Sequence, residues 1–304
     1  MPEILNTDQL IHALVFDGNV RLIAVSGTYL TERARSIHRL SRVATAAMGR
    51  QLMMTVMMAS DQKGKDELVT TVIKGNGPAG SMIATGKADL SVKGYVANGS
   101  AELPPNAAGK LDVGGFVGSR GTLTVIRDLT IGEPYVGTCD LVSGELAQDF
   151  AAYYAYSLQQ PSIVYLGVHE KVDTGRVTAA SGLLLQPLPG CPDHLIDLLS
   201  EKTEAISTLT GKLESGLDLM RAVCEVLGVE ALSGCEIRIP GYRCDCSRAR
   251  IERALISTGT DTLREMIEQD HGAEVVCEFC EKKYRFSSDD LENLIAEARP
   301  DENE

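Results

Sequence analysis

Eight cysteines are present in the 304-residue chain, and four of them are spaced to share one ion. Cys244-x-Cys246 and Cys277-x-x-Cys280 form two tight pairs separated by 30 residues, whereas Cys139, Cys191, Cys224 and Cys235 stand singly. Two close thiol pairs are the pattern of a metal site. Four thiolates fill the tetrahedral positions of Zn²⁺ at about 2.3 Å each, and a closed shell of four cysteines keeps no position open for water or substrate. A zinc held in that way is structural or regulatory rather than hydrolytic. Cys277-Glu278-Phe279-Cys280 followed by Glu281-Lys282-Lys283-Tyr284 reads as a zinc knuckle. Arg243, Arg248, Lys282 and Lys283 flank the pairs and are expected to stabilise thiolates. His271 is a spare ligand type that a four-cysteine set does not need, and it is expected at the surface before Gly272. Each pair is also close enough in sequence to close a disulfide on itself. A disulfide takes two thiolates from the metal. Because a metal contributes on the order of 10 kcal/mol or more to folding a small domain, oxidation would unfold that domain and act as a switch.

The positioning elements follow from periodicity. Leu10 to Phe16 and Val20 to Val25 are apolar runs joined through Asp17-Gly18-Asn19, a hairpin signal. Thr28 to Arg39 and the more apolar Ser41 to Ala59 read as helices. Glu67 to Lys74, Ser81 to Thr85, Ser91 to Ala97, Thr122 to Arg127, Ile163 to Val168 and Arg176 to Gln186 read as strands, Leu103 to Phe116 as a loop, and Ser143 to Gln159 as a helix. Residues 1–186 are thus expected to form one α+β domain with a largely antiparallel sheet. Pro187, Pro189, Gly190 and Pro192 mark a boundary. Beyond it, Leu195, Leu198 and Leu199, then Ile206, Leu209 and Leu213, then Leu217, Met220 and Val223 recur at helical spacing, so 187–240 reads as a helical linker. Residues 241–304 hold the paired cysteines, short helices at about Arg248 to Ser257 and Thr262 to Asp270, a helix from Asp289 to Ala298, and an acidic tip, Asp301 to Glu304.

Composition narrows the function classes. The formal net charge is −13, from 29 basic and 42 acidic side chains. Non-specific nucleic-acid affinity comes from Lys and Arg on phosphates. The cysteine-bearing segment from Arg243 onward carries 9 basic against 16 acidic residues, so a nucleic-acid-binding zinc ribbon is disfavoured. Met1 to Leu10 lacks the pattern of a secretory leader, and the longest apolar stretch, near Leu52 to Ala59, is far short of a membrane span. A cytoplasmic location without membrane association is expected, where thiols serve metals or redox chemistry more often than structural disulfides. Gly75-x-Gly77-x-x-Gly80 matches a dinucleotide fingerprint as a string, but strand pattern resumes at Ser81 where a helix is required, so a tight turn is expected. No catalytic constellation assembles around His12, His38 or His169, and the chain is not expected to be an enzyme. Cys139, Cys191, Cys224 and Cys235 read as small buried apolar residues.

Tyr242-Arg243-Cys244-Asp245-Cys246-Ser247 with Glu274-Val275-Val276-Cys277-Glu278-Phe279-Cys280 resembles the zinc centre of the bacterial 33-kDa heat-shock protein family, the redox-regulated holdase chaperones. The resemblance extends through Gly75-Asn76-Gly77-Pro78, Gly94-Tyr95-Val96-Ala97-Asn98, Asp112-Val113-Gly114-Gly115, Glu133-Pro134-Tyr135-Val136-Gly137, Ser143-Gly144-Glu145, and Tyr153-Tyr154-Ala155-Tyr156-Ser157 with Gln159-Gln160-Pro161-Ser162. It implies a substrate-interacting domain (1–186), a linker (187–240) and a zinc-binding redox-switch domain (241–304). It further implies one zinc on Cys244, Cys246, Cys277 and Cys280 in the reduced, idle state. Oxidation would form Cys244–Cys246 and Cys277–Cys280 disulfides and expel the zinc. The active form would dimerise, hold unfolding clients without ATP, and pass them to ATP-dependent foldases. Met53, Met54, Met57 and Met58, with Met48, cluster on one helix, and flexible thioethers suit a client surface. The commoner use of an apolar helix is as core, with Met as filler. Local chemistry alone leaves a purely structural zinc-ribbon protein as the alternative.

Overall fold

The computed structural model describes residues 7–130 and 132–298. The acidic tip and most of the stretch read for a leader lie outside them. The fold is α+β and separates into two compact units, Met1–Arg243 and Cys244–Glu304.

In the larger unit the hairpin forms as its turn signal requires. β1 (Leu10–Val15) and β2 (Val20–Ser26) pair antiparallel with Val15 opposite Val20. Gly18 takes φ +82°, and Phe16 and Asp17 are left-handed as well. Two helices follow, α1 (Thr28–His38) and α2 (Arg42–Ala59). The Asp8 carboxylate caps α1 by accepting from the backbone N–H of Leu30 at 2.8 Å and of Tyr29 at 3.1 Å. Ser41 caps α2 through Ala44 N–H. Next come β3 (Leu68–Gly75), β4 (Ser81–Lys87), β5 (Ser91–Val96), a short α3 (Val113–Val117), β6 (Gly121–Asp128) and β7 (Tyr135–Asp140). α4 (Leu146–Ala152) runs into a π-turn at Tyr153–Ser157, then β8 (Ile163–Glu170) and β9 (Val177–Pro187). Four linker helices, α5 (Asp193–Glu201), α6 (Thr203–Ser207), α7 (Leu209–Glu214) and α8 (Leu219–Leu227), lead to β10 (Ser233–Arg238) and β11 (Gly241–Tyr242).

These strands build two sheets where periodicity suggested one. The first has the order β10-β1-β2-β9-β8, all antiparallel; the second has the order β11-β5-β4-β3-β6-β7, antiparallel except for β11 on β5. α2 lies between them and packs against β2, β8 and β9 of one sheet and β3, β4 and β5 of the other. That placement explains its composition: a helix with apolar partners on all sides needs apolar residues around its whole circumference. Met48, Met53, Met54, Met57 and Met58 are each 0–1% exposed. Met53, Met54, Met57 and Met58 are therefore core here, as the commoner use of an apolar helix predicts, and offer no client surface while α2 stays between the sheets. Met54→Ala should cost about 2–5 kcal/mol of stability in a urea titration, the cost of a core cavity; a change below about 1 kcal/mol would place Met54 at an adaptable surface instead.

The linker helices cover the opposite face of the first sheet. Leu199, Ile206, Leu209, Leu219, Ala222, Val223, Val226 and Leu227 pack on Ile11, Ala13, Val15, Val20, Leu22, Ala24, Leu183 and Leu185 as a second core. Gly228 closes α8 in the left-handed conformation. The glycine-rich string is a turn packed on α3. Gly77 N–H and Ala79 N–H donate to Val117 O and Phe116 O, each at 2.9 Å, and a Cβ on Gly75 would stand 1.9 Å from Val117 O. Its amides are spent on backbone carbonyls and do not cradle a phosphate.

In the smaller unit, α9 (Arg248–Ser257) and α10 (Thr260–Asp270) precede the hairpin β12 (Gly272–Val276) and β13 (Lys283–Ser287), and α11 (Ser288–Ala298) closes the unit. No described helix is long and apolar enough to cross a membrane.

Candidate metal centre

The hairpin of the smaller unit builds one half of the site. β12 delivers Cys277 and β13 departs after Lys282, so the Cys-x-x-Cys stretch is the turn between them. Cys280 N–H and Glu281 N–H both donate to Cys277 O, at 3.2 and 2.8 Å, and Cys277 N–H donates to Lys282 O at 3.0 Å. Glu281 adopts φ +58° to complete the turn. Cys244 and Cys246 lie in the segment that leads into α9, whose N-terminus Ser247 caps by accepting from Arg250 N–H. A small core holds the halves together: Leu255, Leu263, Tyr284, Phe286, Leu291, Leu294 and Ile295 are buried with Cys277.

The four sulfurs lie within 4.8 Å of one another and form a group able to hold one metal ion. Cys244 Sγ stands 3.8 Å from Cys277 Sγ, and Cys246 Sγ stands 3.4 Å from Cys280 Sγ. A tetrahedron with metal–sulfur bonds of about 2.3 Å has sulfur–sulfur edges of roughly 3.8 Å, so the cluster is close to the size that Zn²⁺ requires. Four thiolates in a tetrahedron suit zinc or iron–sulfur chemistry rather than hard cations. Cys277 is buried and the other three are half-buried.

One neighbour was not assigned a role by spacing alone. Tyr284 Oη donates to Cys246 Sγ at 3.2 Å. Tyr284 and Phe286 point inward from β13 while Lys283, Arg285 and Ser287 point out, and this strand alternation is the signal that could have found it. Burial pushes the Cys246 thiol up, but the Tyr284 hydroxyl and the other three sulfurs outweigh it and hold the thiol at about 7. The same hydrogen bond, with burial and the sulfur charges, pushes the Tyr284 hydroxyl up to about 12. Tyr284→Phe should leave the fold intact and weaken metal affinity by about 10–100-fold, the usual effect of losing a partner that orients a ligand. A chelator competition would read this, and an unchanged affinity would remove Tyr284 from the site.

The flanking cations are committed elsewhere. Lys283 pairs with Glu274 at 2.8 Å, and Arg248 pairs with Glu252 and Asp290 at 3.0 Å each and lies over the Phe286 ring. Lys282 lies over the Tyr284 ring, 5.0 Å from its centroid, and Arg243 donates to Asp89 O in the larger unit. Carboxylates, rings and a backbone carbonyl thus hold these four charges, and the donor seen on a sulfur is the Tyr284 hydroxyl. His271 ends α10 in the left-handed conformation and is exposed, outside the sulfur group. Of the single cysteines, Cys139, Cys191 and Cys224 are half-buried and Cys235 is exposed on β10, so none is the buried apolar residue expected and Cys235 departs furthest. Burial pushes the thiols of Cys139, Cys224 and Cys235 up, away from reactivity.

Comparison with known proteins covers nearly the whole chain. A family model described as Hsp33 protein matches residues 8–287. The 33 kDa chaperonin of Alkaliphilus metalliredigens is 40% identical over 294 residues, 96% of this chain and 99% of that protein. The 33 kDa chaperonin of Synechocystis sp. is 43% identical over 300 residues, covering 98% and 99%. The crystal structure of the 33 kDa chaperonin from Thermotoga maritima superposes with a TM-score of 0.87 at 32% identity, covering 96% of this chain and 98% of that one.

Proposed function

The chain belongs to the Hsp33 family of chaperones, and on that premise we propose that it is a redox-regulated, ATP-independent holdase whose trigger is the four-cysteine centre. The observation that carries this reading is the sulfur group itself, four thiols within 4.8 Å in a unit with a very small apolar core. In the reduced state Cys244, Cys246, Cys277 and Cys280 would hold one Zn²⁺, which supplies charge neutralisation for four thiolates and the folding free energy that so small a core lacks.

Oxidation then proceeds on this chain's own sulfurs. A thiolate attacks peroxide, an S–O bond forms as the O–O bond breaks, and hydroxide leaves with the electron pair. The second thiolate of the pair attacks the sulfenic sulfur, the S–S bond forms, and a second hydroxide leaves. Each disulfide thus takes two electrons from two thiolates and reduces one peroxide. Closing Cys244–Cys246 and Cys277–Cys280 uses all four thiolates and leaves no sulfur ligand for a metal. The pairing follows the family resemblance and the short loops of Cys-x-Cys and Cys-x-x-Cys. Residues 241–304 would then lose their fold, the linker at 187–240 would release the sheet face it covers, and residues 1–186 would present that face to clients. The oxidised form would dimerise, hand clients to ATP-dependent foldases, and work in the cytoplasm, where the resting thiols stay reduced. Neither nucleic acid nor membrane is a partner in this reading, and no catalysis on substrates is involved.

The test treats reduced, zinc-loaded protein with peroxide or hypochlorite. Released zinc, remaining thiols and the light scattering of a thermally unfolding client are followed in the same samples. About one zinc per chain should leave as four thiols disappear, and scattering should fall. Zinc release without client protection would support a purely structural zinc protein. Retained zinc with no protection would end the redox-switch reading.

A further inference from the structure

Edge strand β8 runs beside a cleft of about 660 Å³ whose walls come from both the core and the linker. α2 contributes Arg42 and Arg50, the loop before α3 contributes Lys110, and β8 contributes His169 and Glu170. The linker contributes Ser207 at the end of α6 and Glu214 at the end of α7. All of these residues belong to the larger unit. On a chain of net charge −13, three permanent cations gather at this concavity, and although Glu170 pairs with Arg42 and Glu145 with Arg50, neither carboxylate uses up the donors of its guanidinium.

The cleft is rich in donors that the protein does not use. A guanidinium carries five N–H donors. Arg42 gives its Nε to Glu170, and its two Nη groups have no acceptor among the described residues. Arg50 gives Nη1 to Glu145 Oε2 at 2.5 Å, while its Nε is buried without any partner. Lys110 makes no ion pair among the described residues. His169 is oriented through Nδ1 by Glu214 Oε2 at 2.8 Å, which leaves Nε2 open. Glu170 Oε2 is likewise buried without a donor. Two orphaned polar atoms among the lining residues mark a network that protein groups alone do not close. The volume is that of a small-molecule site.

We propose that this cleft binds a small multivalent oxyanion, a phosphate ester or a dicarboxylate, and that its occupancy holds the linker helices down. The anion would take the free Arg42, Arg50 and Lys110 donors, since planar guanidinium forks match carboxylate and phosphate oxygens. The coupling follows from who builds the walls. The Glu214 carboxylate bonds His169 on β8 and Thr178 on β9, so α7 completes the site only while it is docked. A ligand that needs the docked walls favours the docked state. At a concentration one hundredfold above its dissociation constant, it raises the docked population about one hundredfold relative to the undocked one. The site acts on linker docking and does not depend on the redox chemistry proposed above.

The experiment uses reduced, metal-loaded, full-length protein. Fructose 1,6-bisphosphate, inorganic phosphate and succinate are titrated calorimetrically at constant ionic strength, with sodium chloride as blank. At least one should bind saturably below about 1 mM, and which one binds separates a phosphate from a carboxylate ligand. Lys110→Ala sits on an exposed loop and should weaken binding at least tenfold without changing the melting temperature of the free protein; Arg42→Gln should weaken it further. Amide exchange across Leu209–Glu214 should slow when the probe is bound. No saturable binding by any probe up to about 10 mM, or binding indifferent to both substitutions, overturns the site. Binding that leaves exchange in α7 unchanged overturns its coupling to the linker.

Discussion

Cys277→Ser is expected to leave the smaller unit unfolded while the larger one stays intact. Cys277 is the most buried of the four sulfurs and anchors the turn with its own carbonyl and amide. Its loss leaves three thiolates and a hydroxyl, a poor ligand set for a tetrahedral thiophilic ion. The remaining core, centred on Leu263, Phe286 and Leu291, is too small to offset chain entropy without a metal, since domains of this size depend on such staples. With about 10 kcal/mol or more of metal-linked folding free energy removed, bound zinc should fall from one per chain to near zero. Amide protection in β12, β13 and α11 should vanish, while α2, whose packing lies wholly in the larger unit, keeps its protection. Cys139→Ser is the control that should change neither readout. A C-terminal unit that stays protected after Cys277→Ser would show that the metal site is not what folds it.

Val223→Asp should switch on client protection without any oxidant. Val223 is 0% exposed in the second core, where α8 meets the outer face of the first sheet. A carboxylate there must be ionised in an apolar setting or taken up as the neutral acid, and either costs several kcal/mol. A penalty of about 3–5 kcal/mol shifts the docking equilibrium by roughly two to four powers of ten toward the undocked linker. The variant should retain one zinc per chain, bind a hydrophobic dye, and suppress client aggregation in the reduced state. Val223→Ala, which only deletes methyl groups, should give a fraction of the same effect. The exchange protection of α2 distinguishes linker release from global unfolding. An undocked linker with no gain in client protection would separate the covered sheet face from chaperone function.

The four-cysteine site was legible because it depends on residue type and spacing, and the fold only had to bring two short segments together. The β1–β2 hairpin and α2 were legible for similar reasons, a local turn signal in one and a long apolar run in the other. What escaped was of two kinds. β10 and β7 are edge strands with mostly exposed side chains, so no buried face imposes an alternation on their sequences. They are held by backbone hydrogen bonds, which leave little compositional trace. The second kind is long-range choice. The methionines of α2 suit either an adaptable surface or a core, and only the presence of a sheet on each side decides for core. Tyr284 belongs to the same class, because an alternation along β13 could give the direction of its ring but not the sulfur at its end.

The pairing of β10 on β1 also sets an order of events during synthesis. Leu10 faces Arg238 across the strand pair, so the partners are 228 positions apart in the chain. At translation rates of about 5–20 residues per second, roughly 10 to 45 s pass between the two. Through that interval the N-terminal sheet has an open edge and, until α5–α8 have emerged, an uncovered apolar face. Every newborn molecule therefore passes through a form with this sheet face bare, and closes only when the last third of its chain arrives. The order in which the chain leaves the ribosome thus sets how long that apolar face stays uncovered.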